Sequence, residues 1–232
     1  MIPLWGNRRI PITAWSVYLI VALNVWAYVQ EAGAAHPDAL ISSFAVIPYD
    51  VTHDVVLAPP SPPVPSLTLL TAQFLHAGLA HIGFNMLFLL VFGPVVEYRC
   101  GHLRFLAFYL LCGIVGGVAQ IAAAPGSHVP EIGASGAIAG VLGAFLVMDP
   151  FASIETVTPI GCFPLFLRLP ALLVIGVWAV AQFLAGYGAL TARAAESSGG
   201  IAYFAHIGGF CTGVLLIGVF ARPMTTRPRV RH

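Results

Sequence analysis

The stretch EIGASGAIAGVLGAFLVMDP, from Glu131 to Pro150, holds an apolar segment that is too short to cross a lipid bilayer. The segment covers about 15 residues, from Ser135 to Asp149, and a helix rises ~1.5 Å per residue, so it spans ~22 Å. The hydrocarbon core of a bilayer is ~30 Å thick. One end of this helix must therefore stop inside the membrane, and Ser135 places the single hydroxyl group of the segment at one of its ends.

The composition of the chain indicates a membrane protein. Of its 232 residues, 59% are hydrophobic and 8% are charged, whereas a soluble domain carries roughly 25% charged residues. The net charge is +1, which argues against the basic face that binding of nucleic acid requires. We therefore expect a lipid bilayer as the surroundings of the chain and no nucleic acid as a partner.

The cysteines do not form a pattern typical of a disulfide framework or a metal site. They are widely separated, none belongs to a Cys-x-x-Cys pair, and we interpret them as small apolar filling residues. They are Cys100, Cys112, Cys162 and Cys211. Histidines 76, 81 and 206 have the chemistry of metal ligands, but no HExxH motif or carboxylate accompanies them. We predict neither a metal nor another cofactor.

Six apolar segments predict an all-α polytopic membrane protein with six transmembrane helices. They cover about residues 12–30, 79–97, 103–123, 135–149, 170–187 and 202–221. Between the first two, residues 31–78 include the proline-rich run 59–65, which cannot be a transmembrane helix because proline lacks an N–H donor. We expect a long outer or interfacial loop there. The chain then divides into a cytoplasmic N-terminal segment (1–11), a membrane domain (12–221) and a basic cytoplasmic tail (222–232).

The distribution of arginine predicts the orientation in the membrane. Every cation of the chain is an arginine, and all but Arg193 fall on one set of connecting segments, which is a strong positive-inside bias. These are Arg8, Arg9, Arg99, Arg104, Arg168, Arg222, Arg227, Arg229 and Arg231. Both termini are thus predicted in the cytoplasm, and a bacterial inner membrane is the predicted location.

In this orientation, three helices begin at the outer face, and polar side chains in their first turns share a similar depth. Ser135 opens the fourth segment, and His206 lies about four residues into the sixth. His81 and Asn85 lie in the first two turns of the second. Irregular backbone at that depth must be buried in protein or line a wet cavity. The sequence therefore predicts a cavity that opens outward, with Ser135 at its floor.

These side chains have the chemistry of nucleophilic catalysis. A serine hydroxyl becomes a good nucleophile when a base takes its proton, and histidine is the usual base. No Asp or Glu is predicted near His206, which favours a Ser135–His206 dyad over a triad. His81 and Asn85 are four residues apart on one helical face. With the N–H of Ser135 at the start of a helix, they can donate hydrogen bonds to an oxyanion.

Glycines are predicted to let these groups approach one another. Gly133 and Gly136 allow close approach of the backbone and a substrate around Ser135. Further glycines form small-xxx-small faces on the fourth and sixth helices, which allow membrane helices to pack backbone against backbone. The glycines of these packing faces are Gly140, Gly143, Gly209 and Gly213.

Structural roles for the same residues stay open at this point. Ser135 also fits an N-cap residue, and the histidines and Asn85 also fit hydrogen bonds between helices. His76 is expected at the membrane interface, and His102 in a loop without a partner. A small transporter is a further hypothesis, although the chain shows no inverted repeat and no buried carboxylate for proton coupling. Joint placement at one depth favours catalysis.

Three motifs resemble those of the rhomboid family of intramembrane serine proteases. They are GASG (Gly133–Gly136), AHIGG (Ala205–Gly209) and FLHAGLAHIGFNMLFLLVFGPVVE (Phe74–Glu97), in the family's order and spacing. The resemblance extends over roughly residues 12–221. It implies a six-helix rhomboid-like core that cleaves a peptide bond in or near the transmembrane segment of another membrane protein.

The resemblance also implies roles for individual residues. Ser135 would be the nucleophile and His206 the general base and then acid. His81, Asn85 and the Ser135 N–H would form the oxyanion site, and Gly133 would shape the loop before the serine. The fifth helix and the loop after it, about residues 186–202, would be the gate for substrate and water.

The chain departs from some family members four residues after the nucleophile. Those members carry an aromatic residue under the histidine, and this chain has Ala139, so the group that holds the imidazole is not identified. A catalytically inactive rhomboid-like protein that binds membrane helices is the alternative hypothesis. Such relatives usually lack the serine or the histidine, and both are present here.

Overall fold

The computed structural model describes residues 1–6, 12–55, 60–160, 163–191 and 202–222, and most of them are helical. The helices are α1 (Trp15–Gly33), α2 (Pro37–Phe44), α3 (Pro48–Thr52), α4 (Thr68–Thr71), α5 (Leu79–Cys100), α6 (His102–Ala123), α7 (Ser135–Met148), α8 (Ala171–Thr191) and α9 (Tyr203–Phe220). The strands β1 (Ile2–Gly6), β2 (Ser153–Ile160) and β3 (Phe163–Pro170) form one sheet in that order.

Four of the described helices are long and apolar enough to cross a membrane: α5, α6, α8 and α9. α7 is a shorter apolar helix of 14 residues, close to the length expected from the sequence. α1 occupies the first predicted segment, but its polar residues Asn24, Gln30 and Glu31 lower its mean hydropathy. The structure thus supports a mostly helical membrane protein with four candidate spans among the described residues, and the predicted count of six is not confirmed.

The sheet corrects the all-α prediction. β2 pairs antiparallel with β3 in the segment between α7 and α8, and β1 adds to the free edge of β2. The β-branched residues of SIETVTPI favour a strand. Ile154 is fully buried and joins the helical core, whereas Glu155 and Arg168 form an exposed ion pair across the ladder at 2.7 Å. One side of the sheet is therefore anchored on the helices.

The segment predicted as one long loop, residues 31–78, begins inside α1 and contains α2, α3 and α4. Two backbone hydrogen bonds, of 3.0 and 2.8 Å, join Val46 to Glu131. They fasten this segment to the chain four residues before Ser135. Residues 56–59, which include the first residue of the proline-rich run, lie outside the described part of the chain.

α7 lies at the centre of the helices, and every residue from Gly136 to Phe145 is buried. It packs against α5, α6 and α9. A Cβ atom on Gly213 would overlap the carbonyl oxygen of Gly140, and one on Gly209 would overlap that of Gly136. Gly143 faces the backbone of α9 in the same way. The two helices therefore touch through their backbones, a contact that larger residues would prevent.

Glu97, near the C-terminal end of α5, holds the first turn of α1. Its buried carboxylate accepts the backbone N–H groups of Ser16 at 2.8 Å and Val17 at 2.9 Å. Nδ1 of His102 contacts the same carboxylate, so His102 has a partner that the sequence did not reveal. A carboxylate in this place complements the positive N-terminal end of the helix.

We expect replacement of Glu97 by leucine to lower the free energy of unfolding by about 2 kcal/mol, because two buried N–H groups lose a charged acceptor. Replacing Glu155 by leucine is the matched control. That carboxylate belongs to an exposed ion pair, and we expect a loss below about 1 kcal/mol. Unfolding of both variants in mixed micelles measures the difference, and equal losses would contradict the role given to Glu97.

The three cysteines in the described part of the chain have free thiols. Cys100 and Cys112 are buried, and Cys211 is exposed. Cys162 lies outside the described residues.

Candidate active site

Ser135 is the first residue of α7, and the residues before it bend the chain sharply into the helix. Gly133 has φ +125°, in the region that favours glycine. A Cβ atom on Gly133 would lie 2.8 Å from Nε2 of His81, so a larger residue would meet both strain and a clash. The N–H of Gly133 donates to the carbonyl of Ala72 at 2.9 Å. This turn holds Ser135 at a fixed place beside the His81 ring.

His206 lies in the first turn of α9, and its Nε2 atom is 2.7 Å from Oγ of Ser135. The two residues are 71 positions apart in sequence. The glycine contacts between α7 and α9 bring the starts of these helices together. The distance is that of a direct hydrogen bond between a hydroxyl and an imidazole. The structure thus joins the two residues that the sequence predicted as a pair.

Gln182 on α8 contacts the other side of the same imidazole. Its Oε1 atom lies 2.7 Å from Nδ1 of His206. Trp178, one turn earlier on α8, places its ring centroid 6.0 Å from that of His206. Sequence reasoning missed Gln182, although an amide side chain inside an apolar membrane helix was a signal that could have identified it.

Gln120 on α6 holds the start of α9. Its Oε1 atom accepts the N–H groups of Phe204 at 3.0 Å and Ala205 at 3.3 Å. The N-cap residue of α9, Ala202, provides no side-chain cap of its own. Free N–H groups at a helix start need such an acceptor. Gln120, which sequence reasoning also missed, therefore fixes the backbone directly before His206.

His81 and Asn85 lie one turn apart on α5, and the structure places them differently relative to Ser135. The His81 ring contacts the Gly133 backbone, beside the serine. Asn85 is buried, and its Nδ2 group makes no hydrogen bond with the described residues. His81 is thus part of the site in its present arrangement, and Asn85 offers an unused donor one turn further along the same helix.

His76 lies just before α5 and is buried within the protein, with 1% of its surface exposed. Its ring packs edge-on against His81, with the centroids 5.0 Å apart. Burial, together with the nearby His81, lowers the pKa of His76 to about 4. At physiological pH, the neutral imidazole of His76 therefore packs against the His81 ring.

A small cavity of about 40 Å³ opens beside Ser135 and Gly136. Gln73 and Glu131 give it two polar walls, and Oε1 of Gln73 makes no hydrogen bond with the described residues. Burial raises the pKa of the Glu131 carboxyl to about 7, although a hydrogen bond with Gln120 acts in the opposite direction. The site thus has an ionisable group that changes charge near neutral pH.

We expect the stability of the protein to fall as the pH rises from about 4.5 to about 7, by about 3 kcal/mol from this group. The pKa of Glu131 is raised in the folded state, so the folded protein binds a proton that the unfolded chain has already released in this range. The stabilisation is fully present at a pH below the pKa of Glu131 in the unfolded chain. It is lost as the pH rises through the pKa of Glu131 in the folded protein. Melting curves of the native chain and the Glu131→Gln variant from pH 4 to 8 measure it.

The Glu131→Gln variant should show a flatter dependence than the native chain in those curves. Glu155→Gln, a change at an exposed carboxylate, is the control and should keep the native slope. If the melting temperatures of the native chain and Glu131→Gln changed with pH in the same way, the raised pKa assigned to Glu131 would be refuted.

The Rhomboid domain model matches residues 66–223 of the chain. "Rhomboid protease GluP" of Bacillus subtilis is 49% identical over 78 residues, which cover 34% of this chain and 15% of that protein. "Putative rhomboid protease YdcA" of the same species is 40% identical over 83 residues, 36% of this chain and 41% of that protein. "Inactive RHOMBOID-like protein 8" of Arabidopsis thaliana is 33% identical over 78 residues, 34% of this chain and 22% of that protein.

The apolar helices define a multi-pass membrane protein. The match over residues 66–223 shows that the chain belongs to the rhomboid family, as its three motifs predicted, and that prediction is confirmed. Each of the three relatives is aligned over less than half of its own length. The predicted gate at 186–202 falls largely outside the described residues.

Proposed function

We propose that the chain is an intramembrane serine endopeptidase that cleaves transmembrane segments of other membrane proteins by a Ser135–His206 dyad. The observation that supports it best is the 2.7 Å contact between Oγ of Ser135 and Nε2 of His206. The names of GluP and YdcA as rhomboid proteases add support. The proposed chemistry needs no cofactor, and the bilayer and single-span membrane proteins are the proposed partners.

In the first half of the reaction, His206 accepts the proton of Ser135 through Nε2 while Oγ attacks the carbonyl carbon of the scissile peptide bond. The carbonyl oxygen becomes an oxyanion. The N–H of Ser135 and the side chains of His81 and Asn85 are the proposed donors to it. His206 then gives its proton to the leaving amine, the C–N bond breaks, and an acyl-enzyme ester on Ser135 remains.

In the second half, a water molecule loses a proton to Nε2 of His206 and attacks the ester carbonyl. The same donors stabilise the second oxyanion. The C–O bond to Ser135 then breaks, and His206 returns the proton to the serine. The products are one new carboxyl end and one new amine end, and the enzyme returns to its starting state.

The proposed setting follows from the orientation predicted for the chain. Residues 12–221 form the proposed membrane domain, with both termini in the cytoplasm of a bacterium. The start of α7 then lies below the outer face, so substrates with easily unwound helices near that face are the proposed class. The polar residues at the start of α7 and α9 provide the wet environment that hydrolysis requires.

Covalent labelling of the purified protein tests the proposal. We expect a mechanism-based phosphonofluoridate probe to modify Ser135, and we expect the reconstituted protein to cut some members of a panel of single-span substrates. Lack of both labelling and cleavage would favour the alternative, a catalytically inactive rhomboid-like protein that binds membrane helices. The Ser135→Ala protein is the control for labelling elsewhere.

A further inference from the structure

We propose that Gln182 is a positioning residue for the reaction: its Oε1 atom accepts the N–H of His206 Nδ1 and selects the imidazole form that acts as base. The proposal depends on the proposed protease activity for its kinetic consequences. The proposal also states which ring nitrogen of His206 carries the proton. That part is argued from the contacts between α8 and α9 and does not depend on activity.

The argument begins with the two contacts of the imidazole. Ser135 lies 2.7 Å from Nε2, and Gln182 lies 2.7 Å from Nδ1. A neutral imidazole has one N–H donor and one acceptor nitrogen. If Ser135 is to lose its proton to Nε2, that nitrogen must be free of hydrogen, so the hydrogen must be on Nδ1. An amide oxygen opposite Nδ1 is an acceptor and therefore favours this form.

The opposite arrangement would disable the pair. If the Gln182 amide pointed its NH₂ group at Nδ1, that nitrogen would be the acceptor and Nε2 would carry the hydrogen. His206 would then donate to the serine oxygen and could not take its proton. The observed Oε1 contact and the base function of His206 are thus mutually consistent.

The surroundings of Gln182 explain why an amide suits this place better than a carboxylate. α8 is an apolar candidate span, and a charged side chain in such a helix is costly. A neutral amide supplies the acceptor without a buried charge. Trp178 on the same helix face lies 6.0 Å from the His206 ring, so α8 supplies the ring support that Ala139 on α7 does not.

Kinetics of two substitutions at this position test the proposal. Gln182→Leu removes the acceptor at similar size, and we expect kcat to fall roughly 10- to 100-fold with little change in KM. Gln182→Glu keeps an acceptor oxygen, and we expect it to recover most of kcat. Its carboxylate stabilises the imidazolium, so the acidic limb of the pH–rate profile should move to higher pH. Gln30→Leu, the same change at an exposed position of α1, is the control.

A second readout is independent of activity. In protein labelled with ¹⁵N-histidine, the His206 signals, assigned by their loss in His206→Ala, report which ring nitrogen carries the proton. We expect the Nδ1–H form in the native chain and in Gln30→Leu, and a mixture with the Nε2–H form in Gln182→Leu. Melting curves of the same variants show whether folding is preserved.

The outcomes separate the two proposals. If the native chain neither labels nor cleaves, the proposed function fails, and the nitrogen signals alone decide the role of Gln182. If the native chain cleaves and Gln182→Leu keeps both the native kcat and the Nδ1–H form, the role of Gln182 is refuted and the protease proposal stands. A Gln182→Leu loss that Gln182→Glu does not recover, with unchanged nitrogen signals, would likewise reduce Gln182 to a packing residue.

Discussion

Replacing Ser135 with alanine should lower kcat/KM for cleavage of a transmembrane substrate at least ~1,000-fold, because the change removes the atom that is proposed to form the acyl-enzyme. His206→Ala should cause a loss of similar size, since no other described base contacts the serine hydroxyl. Residues that act as a unit are strongly non-additive. The double variant should therefore be about as inactive as either single variant. Cleavage of a single-span substrate in proteoliposomes, followed by mass spectrometry of the products, measures all three.

The control for this experiment is Ser66→Ala, a serine-to-alanine change at an exposed position before α4. We expect it to retain native activity. Cleavage by the Ser135→Ala protein at the native rate would end the protease proposal, and additive losses in the double variant would show that the two residues do not work together. Binding of the substrate by Ser135→Ala should persist, because the remaining surface is unchanged.

The second large effect is expected from Gly213→Ala on α9. The new Cβ atom would overlap the carbonyl oxygen and Cα of Gly140. Both are backbone atoms of α7 and cannot rotate away, so the helices must separate. We expect a loss of roughly 3 kcal/mol or more in the free energy of unfolding, at the upper end for overpacked cores. Activity should fall as well, since separation lengthens the contact between Ser135 and His206.

Gly218→Ala is the matched control, because it makes the same change on the same helix where no atom lies within 4 Å of the new Cβ. Alanine is the better helix former, so the control should be neutral or stabilising by up to ~1 kcal/mol. Unfolding in mixed micelles and cleavage assays on both variants test the contrast. Equal behaviour of the two would mean that α7 and α9 do not need close contact.

The sequence predicted the pair at the site for a simple reason. The distribution of arginine predicted the orientation of each span in the membrane. Because the fourth segment is too short to cross the bilayer, Ser135 was then predicted at the depth of His206. Gln182 and Gln120 were missed: an amide inside an apolar helix is a signal of its own, but its partner lies on another helix, and a contact between helices has no local pattern. The contact of His102 with Glu97, five positions earlier, was missed because α5 ends between the two residues.

The sheet was missed because β2 and β3 lie in the connection between α7 and α8 and lack a clear alternation of apolar and polar residues. β3 reads FPLFLRLP, with its outward face largely apolar and exposed. Near a bilayer, apolar side chains do not have to face a protein core. The rule that relates hydrophobic periodicity to burial therefore fails for the hairpin of β2 and β3. The pairing of β2 with β1 could not be predicted either, because β1 lies in a distant part of the chain.

The wholly enclosed position of α7 has a consequence for how the protein is made. A helix of 14 residues with no exposed lipid-facing stripe between Gly136 and Phe145 gains little from the bilayer by itself. Its partner α9 emerges from the ribosome later, and His206 with it. A growing polypeptide therefore carries no assembled Ser135–His206 pair until α9 has been inserted.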